Sequence, residues 1–115
     1  MGVTFNSQKL SAYQNEAPGS TGVVIKAGKT QLFGVQAGSV GAIGYFHLYD
    51  TTAAATSANT SLIKLTFSSV STAGVNWVIP GLEFANGLQL RATNLANGTS
   101  SNNPATNIVL NIAYA

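Results

Sequence analysis

Apolar residues fall in short runs that either alternate with polar residues or are continuous and β-branched, and clusters of Gly, Ser, Asn and Thr separate the runs. That spacing predicts strands and turns, and no segment carries the period of an amphipathic helix. Strands are expected at residues 21–27, 30–36, 42–50, 61–68, 75–79, 88–93 and 107–114, with a shorter one before Phe5 or at 83–85. Alternation gives each strand one face for a core. Leu88 and Leu90 oppose Gln89 and Arg91, while Ile108, Leu110, Ile112 and Tyr114 oppose Val109, Asn111 and Ala113. Seven or eight short strands in 115 residues predict an all-β fold. Two packed sheets, a single antiparallel β-sandwich of jelly-roll or immunoglobulin-like kind, fit that inventory better than a closed barrel.

Turn chemistry supports the same architecture. Ala27-Gly28-Lys29 is short enough to close a hairpin between Ile25 and Leu32, and Asn86-Gly87 suits positive φ between two extended segments. Longer connections at residues 51–60 and 94–106 are rich in Ala, Thr, Ser and Asn and belong on the surface. Residues 6–20 lack periodicity and hold Pro18-Gly19, so 1–20 reads as an irregular N-terminal arm ahead of a sandwich domain at 21–115.

Composition narrows the functional classes. Five Lys and Arg and three Asp and Glu make 7% charged residues, where an ordinary soluble domain has about 25%. Such a chain has little means of acid-base catalysis, and its neutral surface suits contact with other proteins. A net charge of +2, scattered along the chain, is too weak to neutralise a run of phosphates, so nucleic-acid binding is not expected. Without cysteine there is no disulfide framework, thiolate metal site or thiol nucleophile. No run approaches a membrane span and no secretory leader is legible, so a membrane partner is not expected and synthesis in a cytoplasm is. Met1-Gly2 lacks the Ser or Thr at position 6 that a myristoylation signal needs, because Asn6 stands there.

The candidate chemistry is sparse. His47 is the only histidine and forms no metal cage; Asp50 lies on the opposite strand face by parity, so His47 reads as a hydrogen-bonded strand residue. Glu16, Asp50 and Glu83 are the only carboxylates, and a two-carboxylate hydrolase would need nearly all of them in one cleft. Gly34, Gly38, Gly41 and Gly44 resemble a glycine-rich loop, yet no helix or Lys follows to hold phosphate. The sequons at Asn59 and Asn97 are chance matches in an Asn- and Thr-rich chain. Trp77, between Val75 and Ile79 on one strand face, reads as core more than as a sugar-stacking platform. No catalytic residue, cofactor, metal or small-molecule substrate is expected.

Three words of sequence carry a family likeness: Phe46-His47-Leu48-Tyr49-Asp50, the segment from Val78-Ile79-Pro80-Gly81-Leu82-Glu83-Phe84-Ala85-Asn86-Gly87 to Thr93, and the terminal run from Asn107 to Tyr114. Over residues 21–115 the chain resembles the small β-sandwich virion proteins of tailed bacteriophages; nothing in residues 1–20 shares in that resemblance. It implies a non-enzymatic virion structural protein, a capsid cement or decoration protein that binds the outside of the head and bridges subunits of the major capsid protein. The expected location is the capsid surface after assembly in the host cytoplasm. A homotrimer on local threefold positions would protect sheet edges and match shell symmetry. Candidate coat or inter-subunit contacts are Phe5, Leu10, Tyr13 and Pro18 in the arm and Asn94, Asn97, Asn102 and Asn103 in the last long loop. The alternative is a head-fibre, tail or receptor-binding component that recognises host glycan through loops 51–60 and 94–106 and an exposed aromatic.

Overall fold

The computed structural model describes residues 10–15, 18–38, 44–68, 75–99, 102–104 and 109–115. Among them are eight strands: β1 (Ser11–Asn15), β2 (Val23–Ala27), β3 (Thr30–Ala37), β4 (Tyr45–Asp50), β5 (Ile63–Ser68), β6 (Val75–Phe84), β7 (Gly87–Thr93) and β8 (Leu110–Tyr114). A single 3-10 turn, Thr60–Leu62, leads into β5. The strands form two four-stranded antiparallel sheets, here called sheet A (order β1-β8-β3-β6) and sheet B (order β2-β7-β4-β5). First pairs with last, second with seventh, third with sixth and fourth with fifth, as in one long hairpin wrapped over itself. That connectivity is the jelly roll, and it decides between the two sandwich types the sequence left open.

The alternation seen in the sequence builds the core. Leu32, Val35 and Ala37 of β3, Leu110 and Ile112 of β8 and Phe84 of β6 face Phe46 and Leu48 of β4, Phe67 of β5 and Leu88, Leu90 and Ala92 of β7. Phe46 and Phe67 stack with centroids 5.1 Å apart. Each large side chain buried this way contributes roughly 1.5–3 kcal/mol, which lets so small a domain fold without disulfides.

Three expectations change. The turn at Gly28 closes no hairpin, since β2 belongs to sheet B and β3 to sheet A. Likewise Asn86-Gly87 carries the chain from β6 in sheet A to β7 in sheet B. Turn chemistry specifies a reversal, not the partner after it. The two crossings sit side by side, with Ala27 opposite Gly87 and the Gly28 amide donating to Asn86 O at 3.0 Å. Gly28 takes φ +84, and a Cβ on Gly87 would come 2.9 Å from Thr51 O, so both positions favour glycine.

The second change lies in the arm: Ser11–Asn15 is a strand, paired along its whole length with β8. Its one large apolar residue, Tyr13, sits opposite Ile112, too little pattern to register as a strand in sequence. The third is β6, which joins the expected strand at 75–79 and the short one at 83–85 into ten residues. Pro80 is tolerated there because β6 is the edge of sheet A, where a missing donor costs little. The expected strand ends at 42–43 and 107–108 lie outside the described residues.

Asp50, at the end of β4, ties these crossings together. Its carboxylate accepts from the backbone amides of Asn86 (2.7 Å), Ala85 (3.0 Å) and Gly87 (3.3 Å). Partial burial pushes its pKa up, but the amides of Asn86, Ala85 and Gly87 and the charge of Lys64 outweigh this and hold it below its ordinary 3.8. Replacing Asp50 by Ala leaves three amides without their acceptor. The expected loss is about 2 kcal/mol at pH 7, seen as a lower urea midpoint, and it should shrink as pH falls below the ordinary carboxylate range and the wild-type carboxylate protonates.

Candidate functional site

The outer face of sheet B holds the polar chemistry. By parity Gln89, Arg91 and Thr93 of β7 point away from the core, opposite Tyr49, His47 and Tyr45 of β4 respectively. Yet every position of β7 is buried, because segments 18–22, 51–58 and 94–99 fold over that face. Each outward side chain holds one of them. The Gln89 amide donates to Thr51 O (3.0 Å) and Ala53 O and accepts from the Ala55 amide (3.0 Å). The Arg91 guanidinium donates to Ser20 O (2.7 Å), Gly98 O (3.0 Å) and the Tyr49 hydroxyl (2.9 Å), and lies 6.0 Å from the Tyr49 ring centroid. The Thr93 hydroxyl donates to Leu95 O at 2.8 Å.

His47 completes the row. Since the Thr93 hydroxyl is committed to Leu95 O, the imidazole carries its proton on Nε2 and donates to Thr93 Oγ1 (2.9 Å), while Nδ1 accepts from the Thr66 hydroxyl (3.1 Å). Burial lowers its pKa, the Arg91 charge lowers it further, and a contact with the Leu95 backbone opposes them; the result is about 4 against an ordinary 6.5. The ring is neutral at physiological pH and fully buried. Among the described residues no buried side-chain nitrogen or oxygen lacks a hydrogen bond.

This row has the residue types of a catalytic site without the access. His47 is closed between the Thr66 and Thr93 hydroxyls, and no three His, Cys, Asp or Glu among the described residues gather to hold a metal. A cleft of about 310 Å³ opens above Arg91 between Ser20, Thr21 and Ala54–Ser57. The Arg91 nitrogens Nε and Nη1 already bind backbone carbonyls. The chemistry available is positional: the row fixes loops.

The expected contact residues divide into two groups. Leu10 is exposed and Tyr13, half-buried on β1, accepts a hydrogen bond from Asn15 (2.9 Å); both lie at the edge of sheet A. Pro18 is buried beside the loops over Arg91. Asn94, Asn97, Asn102 and Asn103 are exposed around that same end. Asn94 N donates to Asn102 O (3.3 Å), Asn97 accepts from the Thr99 hydroxyl (2.7 Å), and Asn103 accepts from Ser20 N (2.8 Å). Phe5 lies outside the described residues.

Trp77 is not core: it is 42% exposed. It pairs with Val35 on the inward register, but β6 is an edge strand, and its ring meets Phe67 at 5.4 Å where the sandwich opens between β5 and β6. An apolar cleft of about 300 Å³ lies there, lined by Leu65, Trp77, Ile79, Pro80, Gly81 and Leu82. A second, of about 260 Å³, lies on the outer face of sheet A over Gly34. Edge position, invisible in periodicity, is what sequence reasoning missed at Trp77. Set against known protein families, characterised proteins and solved structures, the chain matches none.

Two outcomes follow from the buried row. Between pH 4 and 6.5 the unfolded chain binds a proton on residue 47 that the folded chain refuses. His47 therefore contributes stability that is fully present above pH 6.5 and lost as pH falls toward 4, about 3 kcal/mol across the window. Urea midpoints measured across that range should rise with pH, and His47→Gln should flatten the rise. Arg91→Met, which keeps the volume but strands two buried carbonyls, should cost about 3 kcal/mol at pH 7 by the same measurement.

Proposed function

We propose that this chain is a non-enzymatic structural protein of a bacteriophage virion, a capsid cement or decoration protein that seats on the outer surface of the head and bridges subunits of the major capsid protein. The observation that carries this reading is the use made of the few chemically able side chains: Asp50 and Arg91 hold the chain's own turns and loops, and His47 is closed between hydroxyls of β5 and β7. What remains for interaction is surface. The three words that resemble phage virion proteins fall on β4, on β6 through β7, and on β8, the strands that form the body of the jelly roll.

The rim between β5 and β6 supplies the coat contact in this reading. Trp77, Pro80, Leu82 and Leu65 surround an apolar cleft that a neighbour's side chain can fill, and an exposed apolar patch of this kind commonly marks a protein interface. Each sandwich has two open sides, β5 with β6 and β1 with β2. A homotrimer around a local threefold axis would cover edges that Lys26 and Lys64 otherwise guard by charge. A modest contact repeated over a shell stabilises the whole particle.

The test is cosedimentation of the purified chain with shells that lack it. Binding should saturate at a fixed ratio to the coat subunit and raise the temperature at which shells break open. Pro80→Glu, an exposed change at the rim, should weaken binding at least tenfold without lowering the chain's own melting temperature. Absence of shell binding would refute the cement reading and point to tail or fibre complexes.

A further inference from the structure

The outer face of sheet A presents two parallel rows. Cross-strand partners place Gln14 of β1 beside Asn111 of β8, Asn111 beside Gln36 of β3, and Gln36 beside Asn76 of β6. Four side-chain amides thus cross the whole sheet, a span of about 14 Å at the usual strand spacing. The next row on the same face reads Ala12, Ala113, Gly34, Val78 across the same four strands. Gly34 leaves a trough of about 260 Å³ between these rows, and none of the residues lining it is charged. Val78, at the end of the small row, is 92% exposed. Phe33, at the bulge where β3 slips against β6 and β8, lies close over Gly81, which adds a half-buried ring further along the same strand.

We propose that this face binds a neutral polysaccharide, with the amide row hydrogen-bonding sugar hydroxyls and the C–H face of the sugars resting on the small apolar row. The pairing follows from what each ligand class would leave unsatisfied. An apolar partner would desolvate the amides without replacing their bonds to water. An anionic polymer would find no Lys or Arg in the trough to neutralise its charge. A hydroxyl-rich neutral chain meets both rows, since each amide offers a donor and an acceptor to adjacent hydroxyls. The site is distinct from the β5–β6 rim and from the buried row on sheet B. It does not depend on whether the chain sits on a head or a tail. Display in many copies would turn a weak single-site contact into firm retention.

Trp77, the only tryptophan, is on the inward register of β6 with its ring against Phe67, so binding at the outer face is read from migration. The experiment is affinity electrophoresis through gels containing dextran, barley β-glucan, galactomannan or xylan, with polygalacturonate as the charged control. At least one neutral glycan should retard the chain, while polygalacturonate should not. Asn111→Ala and Gln36→Ala, both on the solvent side of the sheet, should each weaken that binding about tenfold or more with the urea midpoint unchanged. Retardation by none of the neutral glycans overturns the proposal, as does equal retardation of both variants and the parent. So does a concentration-dependent dimer that Asn111→Ala abolishes while no saccharide competes with it, which would assign the face to a second copy of the chain.

Discussion

Burial of the outer face of sheet B by the chain's own loops is the constraint on which the rest of this structure depends. A four-stranded sheet in a sandwich ordinarily keeps one face in water, but here β7 is covered on both. Covering a sheet with irregular chain brings backbone carbonyls and amides out of solvent, and each needs a partner. Gln89, Arg91 and Thr93 are those partners, spaced two residues apart so that one strand face serves three segments. Arg91 suits the central place because its planar guanidinium donates in several fixed directions at once, here to two carbonyls and a phenol.

The same constraint shapes function. With loops 51–58 and 94–99 fastened to the sheet, the polar groups that a loop-borne recognition site would use are engaged internally. That leaves the open rim at Trp77 and the outer face of sheet A as the surfaces on which the proposed interactions rest. These surfaces contrast: the rim is an apolar cleft at the end of the core, suited to a protein side chain, and the sheet face is a flat lattice of amides and small residues.

Much of the fold was legible because core alternation is a local signal. Leu110 and Ile112 read correctly as inward, as did Leu88 and Leu90, and seven of the eight strands fall where the apolar runs place them. What failed was nonlocal. The Gly28 and Asn86-Gly87 turns gave reversals but not partners, so the apparent hairpin at Gly28 and the reversal at Asn86-Gly87 are both crossings between sheets. Ser11–Asn15 escaped because one tyrosine in five residues makes no period. At the site, Gln89 and Arg91 alternated with leucines and so looked solvent-facing; only the loops above them, far away in sequence, make them interior. Trp77 erred the other way, an inward register undone by the end of the sheet. Asp50 was seen as a carboxylate without a base, and its role as the cap on the β6–β7 crossing needed coordinates.

The central claim, that the polar row of β7 makes loops part of the folded body, is tested most directly by native-state hydrogen exchange at the Ala55 amide. That amide lies in an irregular, Ala- and Thr-rich segment but donates to the buried carbonyl of Gln89. If the row fastens the loop, Ala55 exchanges as slowly as the amides of β4 and β7 and opens only with global unfolding. Exchange at the rate of an exposed loop, while the β7 amides stay protected, would show that the loop opens freely and that the row does not hold it.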